Sequence, residues 1–91
     1  MVIRLKGEEL HMKEIKVKLT TIESVKRFVE KTSKYPFEID VVSGRYVIDA
    51  KSIMGLFSLN LEHTLKVVAH TDDQEEIKKL EEDLKEFSVQ N

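Results

Sequence analysis

The sequence predicts an α+β domain in the order β-α-β-β-α-β-α: a four-stranded antiparallel sheet with its helices on one face, an open-faced sandwich. Three observations carry this expectation. "EIKVKL" and "FEIDVV" alternate apolar with polar residues, and "TLKVVAH" sets Leu65, Val67 and Ala69 on one side, the period of a strand with one buried face. Two longer segments repeat apolar residues every three or four positions, the period of a helix lying on a core. A Ser43-Gly44 turn signal joins two of the strands directly as a hairpin.

Each element can be justified in turn. "EIKVKL" sets Ile15, Val17 and Leu19 against Lys16 and Lys18 and reads as the first strand. The first helix is expected over residues 21–35. Thr20 and Glu23 have the S/T-x-x-E spacing in which each side chain satisfies the other residue's free N–H at a helix start. Ile22, Val25, Phe28, Val29 and Thr32 then fall on one face. Pro36 ends the helix by pushing Tyr35 out of the α region. "FEIDVV" turns Phe37, Ile39 and Val41 inward, and residues 37–42 should pair antiparallel with 45–49 across the turn. Ile53, Met54, Leu56, Phe57 and Leu59 are too crowded for a strand. They suit a short helix capped by Ser52 and ended by Asn60, a residue that tolerates the left-handed cap. "TLKVVAH" is the fourth strand, with Leu65, Val67 and Ala69 on one side. A last helix over residues 73–87 has Thr71 and Asp72 as caps, Gln74 and Glu75 completing either capping box, and Ile77, Leu80, Leu84 and Phe87 on its buried face. Glu75–Lys79 and Glu81–Lys85 are i,i+4 pairs on its outer side.

Composition narrows the function classes. Ninety-one residues make a single domain with a modest core. Charged residues are 35% of the chain, yet the formal net charge is −2, which argues against nucleic-acid or membrane binding through bulk charge. The segment 72–86 carries eight acids against Lys78, Lys79 and Lys85, which reads as a solvated helix face. Without cysteine there are no disulfides or thiolate metal sites. No apolar run approaches the ~20 residues that span a bilayer, and the start lacks the apolar stretch of a signal peptide, so the cytoplasm is the expected location. Residues 1–11 do not match the rest of the chain, and His11-Met12 is the pair a common cloning junction leaves. The expected division is a leader over 1–11, added for expression or a native extra strand over 2–6, and a domain over 12–91.

Catalytic patterns are absent. His11, His63 and His70 are scattered, no metal-ligand or nucleophile motif occurs, and no cofactor is expected. The aromatic-rich pattern of sheet-based RNA binders is missing, and Tyr46, alone on its strand, reads as a packing residue. Ser52 has two readings. As a helix cap it is explained by structure alone. As a phosphorylation site it would place the new charge where free N–H groups and the helix dipole tolerate it, with Lys51 beside it to neutralise part of that charge. Ile53, Met54 and Phe57 likewise either pack inward or form an exposed apolar partner site, because a short helix cannot bury every side.

The stretch "SKYPFEIDVVSGRYVIDAKSIMGLFSLNL" closely resembles the second half of HPr, the histidine-containing phosphocarrier family of the bacterial sugar phosphotransferase system. "KSIMG" followed by "SL" is the specific part, above all of the Gram-positive branch, and the resemblance covers residues 12–87. It implies that family's open-faced sandwich. Phosphate-carrying members have a G-[IL]-H-[AT]-R-P loop before the first helix, whose histidine takes phosphate from enzyme I. Aligned through the helix, this chain has Thr21 at the histidine position, Glu23 at the arginine and Ser24 at the proline, in a shorter loop. Threonine without an adjacent base is a poor nucleophile. The chain therefore resembles a divergent member, like the histidine-lacking Crh. In that branch the motif serine is phosphorylated by HPr kinase/phosphorylase, and the phosphoserine form binds catabolite control protein A. The resemblance thus implies Ser52 as a regulatory phosphosite, Ile53, Met54 and Phe57 as partner contacts, and a non-enzymatic module of carbon catabolite regulation. Two alternatives stand beside it: a phosphocarrier of the sugar phosphotransferase system, and a structural homologue with an unrelated partner.

Overall fold

Four short strands pair into one antiparallel sheet. β1 (Glu14–Val17), β2 (Ile39–Ser43), β3 (Tyr46–Asp49) and β4 (Leu65–Ala69) lie in the order β1-β4-β2-β3. The computed structural model describes residues 14–89; the expected leader over 1–11 lies outside them. Register fixes the two faces. The row Ile15, Val67, Val41, Ile48 crosses all four strands on the helix side, and the next row, Lys16, Lys66, Val42, Val47, crosses on the open side. The pairing also follows the hairpin expectation: Ser43 faces Tyr46 across a two-residue loop, and Gly44 takes φ +60. A positive φ is strained for residues with a Cβ, so glycine belongs there.

Three helices lie over the sheet: α1 (Ile22–Thr32), α2 (Ile53–Phe57) and α3 (Gln74–Asp83), the last continued by a 3-10 turn at Lys85–Phe87. α1 and α2 each connect two parallel strands with one antiparallel strand between them. Right-handed crossovers of this kind put both helices on the same side of a sheet. Val25 and Phe28 of α1, Leu56 of α2 and Leu80 of α3 close over Val17, Ile39, Val41, Leu65 and Val67 in one core, all fully buried. Phe87 meets Phe28 edge-on at 5.7 Å, which sets α3 beside α1. Leu84 and Ile77 are buried as their spacing requires.

The caps differ from expectation. α1 is capped by Thr21, not Thr20. The Thr21 hydroxyl accepts the Ser24 N–H at 2.9 Å, and Ser24 Oγ accepts the Thr21 N–H at 3.0 Å, a reciprocal box built with serine in place of Glu23. α1 also ends at Thr32, short of the Tyr35 expected from Pro36. The Thr32 hydroxyl turns inward, 3.0 Å from the Phe28 carbonyl and 3.1 Å from that of Ala50, and the chain tightens there through Tyr35 N–H to the Thr32 carbonyl. α3 is capped by Asp73, whose Oδ1 accepts from Glu75 and Glu76, while Thr71 supports the cap by accepting the Asp73 N–H. α2 ends at Ser58 in right-handed geometry rather than at a left-handed Asn60. Asn60 Oδ1 instead accepts the Glu62 N–H and starts the loop to β4.

Polar contacts tie α3 and the chain after it to the rest. Glu86 meets Arg27 at 3.1 Å and Lys31 at 2.8 Å, and the Lys31 bond holds its carboxyl below the usual range. Tyr35 donates its hydroxyl hydrogen to Asp83, and burial followed by that bond pushes the phenol pKa well up. Lys18 N–H to Phe87 O and Val89 N–H to Lys16 O run the segment after the 3-10 turn along the outer edge of β1, so that edge is covered. No helix of the described residues is long and apolar enough to cross a membrane.

Candidate interaction site around Ser52

The segment 51–57 leaves β3 through a turn closed by Asp49, whose side chain accepts the Lys51 N–H at 2.9 Å and whose carbonyl accepts the Ser52 N–H at 3.0 Å. Ser52 is extended (φ −105, ψ 106), and its hydroxyl accepts the Gly55 N–H at 3.1 Å. It is the cap of α2, and it is half-buried. Gly55 is required by space: a Cβ there would stand 2.6 Å from Ile48 Cγ2 and 3.1 Å from Ser52 Oγ. Lys51 departs from expectation. Its ammonium is not held for a phosphate but donates to the carbonyls of Tyr35 (2.6 Å) and Phe37 (2.9 Å), fastening α2 to the chain that enters β2.

The split of α2 follows helical spacing. Leu56 is fully buried, and Leu59 and Ile53 are half-buried against the core. Met54 is 78% exposed and Phe57 42%. Of the three apolar residues singled out, two stand open and Ile53 is mostly committed to packing. Ile22, expected in the core, is 63% exposed. As the first residue of α1 it stands at the helix end, where it lines a groove with Phe57, Leu59 and Leu61 rather than covering the sheet. Its place directly after the Thr21 cap is the signal for this, and a cap at Thr20 hides it. Tyr46, expected to pack, is 62% exposed near the hairpin tip.

The histidines do not converge. His70 Nε2 lies 2.6 Å from Asp40 Oδ2, just past the C-terminal end of β4, and His63 is exposed in the loop before the opposite end of that strand. The connection from β1 to α1 reads Lys18, Leu19, Thr20, Thr21 and holds no histidine; the Thr21 hydroxyl is occupied as a cap. Among the described residues no group of three or more histidine or carboxylate side chains is placed to hold a metal ion.

A family model, the PTS HPr component phosphorylation site, matches residues 23–87. The chain belongs to the HPr family. An HPr structure, HPr-C-His from Thermoanaerobacter tengcongensis, is 30% identical, with 80% of this chain and 91% of that one covered at a TM-score of 0.65. The phosphocarrier protein HPr of Bacillus anthracis superposes with a TM-score of 0.58 at 19% identity, over 80% of this chain and 96% of its own. Crh of Bacillus subtilis covers 99% of this chain and 97% of its own at 22% identity and a TM-score of 0.58. These two likenesses are of fold. No curated protein sequence matches the chain. The family match starts at Glu23, after the loop that precedes α1, and runs through α2 and its serine cap.

Proposed function

We propose that this HPr-family protein is a regulatory docking module that carries no phosphate on histidine and is switched by phosphorylation of Ser52. The observation that carries the reading is α2 itself: a serine-capped helix start beside two exposed apolar side chains, Met54 and Phe57. A phosphoryl group on Ser52 adds roughly −1.5 to −2 charge at the edge of that patch. A basic partner would meet the charge through charge-assisted hydrogen bonds and the patch through apolar contact, with Ile53 at its base. By family resemblance the kinase is HPr kinase/phosphorylase and the partner is a catabolite control protein or another regulator. Residues 12–91 form the functional domain in this reading.

The absence of a histidine between β1 and α1 supports the other half of the proposal. Glu23 would repel a phosphoryl group, and Thr21 is engaged as a cap. With phosphoenolpyruvate and enzyme I the protein should gain no acid-labile phosphate, whereas HPr kinase and ATP should place one phosphate on Ser52, located by mass spectrometry. Stoichiometric labelling of His63 or His70 would restore the phosphocarrier reading.

A further inference from the structure

Next to the groove of Ile22 and Phe57, with which it shares Leu59 and Asn60, the tip of the β2–β3 hairpin and the loop between α2 and β4 form an open cleft of about 690 Å³. Arg45, Tyr46, Asn60 and His63 line it, and no acidic residue does, although acids outnumber lysine plus arginine in this chain by 17 to 15. Its N–H donors are set on fixed frames. Arg45 leaves a two-residue turn whose geometry Gly44 determines. His63 leaves a turn closed by its own N–H to the Asn60 carbonyl at 3.3 Å. Asn60 uses Oδ1 to accept the Glu62 N–H at 3.1 Å, which leaves its amide NH2 as a donor. Among the described residues the side chains of Arg45, Tyr46 and His63 have no hydrogen-bond or ion-pair partner. Two carbonyls near the end of α2 already have donors: Gly55 O accepts from Ser58 and Leu56 O from Leu59.

We propose that this cleft binds a small phosphomonoester carrying a planar ring. Arg45 and His63 hold the phosphate, the Asn60 amide adds a neutral donor, and the exposed Tyr46 ring is the platform for the ligand's own ring. A guanidinium presents a fork of N–H donors that matches phosphate oxygens, and a bond from a charged donor is about twice as strong as a neutral one. An aromatic face exposed beside such a fork favours ligands that stack as well as pair. The site uses none of Ser52, Met54 and Phe57, and binding there does not depend on phosphorylation.

The test uses the full, unmodified chain. Phenyl phosphate and inorganic phosphate are titrated separately while backbone amide resonances are followed by NMR. Saturable shifts confined to residues 43–46 and 58–63 are expected, with phenyl phosphate the tighter ligand. Arg45→Met should weaken both ligands about tenfold or more. Tyr46→Ala should bring phenyl phosphate down to the level of inorganic phosphate and leave inorganic phosphate unchanged. Both positions are exposed, and the unchanged shifts of the remaining amides report that each variant is folded. Shifts that do not saturate, that spread over the surface lysines, or that are as large in Arg45→Met would overturn the proposal.

Discussion

Ser52 and Gly55 illustrate how one motif serves two levels at once. The serine hydroxyl caps the Gly55 N–H, and the missing side chain of Gly55 lets that cap and Ile48 approach. Ser52→Ala should therefore lower stability by about 1 kcal/mol, as loss of a serine cap does, in chemical denaturation. Gly55→Ala forces a methyl group onto Ile48 and should cost about 1–3 kcal/mol in the same assay. Met54→Ala behaves oppositely: it removes a side chain with almost no packing, so stability should hold within roughly 0.5 kcal/mol while partner binding falls. Part of this was legible in the sequence. A serine before a crowded apolar run signals a cap, and half-turn spacing separates Met54 from Leu56. The role of Lys51 was not, because its carbonyl partners, Tyr35 and Phe37, lie 16 and 14 residues away in the chain.

Elements are joined by a few long-range polar contacts that periodicity does not reveal. Lys51 fastens α2 to the entry of β2, so Lys51→Met leaves two part-buried carbonyls short of a donor and should cost roughly 1–3 kcal/mol. Amide hydrogen exchange should then quicken in residues 35–38 before it does in the sheet. Tyr35 ties the end of α1 to α3 through Asp83, and its phenol is raised in the folded state by burial first and by that bond second. A raised value means the unfolded chain gives up this proton first. The contribution is thus complete below the ordinary tyrosine value of about 10 and is lost as pH rises above it. Tyr35→Phe should flatten this alkaline loss relative to the parent protein, measured by thermal unfolding across that range. Helix phase was readable from apolar spacing for Val25, Phe28, Ile77 and Leu80. Helix ends were not, since Thr20 and Thr21, or Thr71, Asp72 and Asp73, offer equivalent caps until the sheet fixes where the chain arrives.

At the scale of the molecule, strand alternation and one glycine turn were enough to specify an open-faced sheet with helices on one side. The sequence did not reveal the segment after the 3-10 turn that covers the edge of β1, because its bonds are backbone to backbone and independent of residue type. The candidate site was legible as a motif; its extension by Ile22 depended on the cap being at Thr21. The fold holds α2 rigidly between a cap, a close glycine contact and a lysine tether, so a phosphate on Ser52 should change what the surface binds far more than how the chain folds. The most direct measurement is binding of a catabolite control protein, by calorimetry, to the unmodified protein and to the same protein phosphorylated by HPr kinase at Ser52. The phosphorylated form should bind at least tenfold more tightly, an advantage reduced by Met54→Ala, with thermal stability nearly unchanged. Equal affinity before and after phosphorylation, or no phosphate at Ser52, would contradict it and leave Ser52 as a helix cap alone.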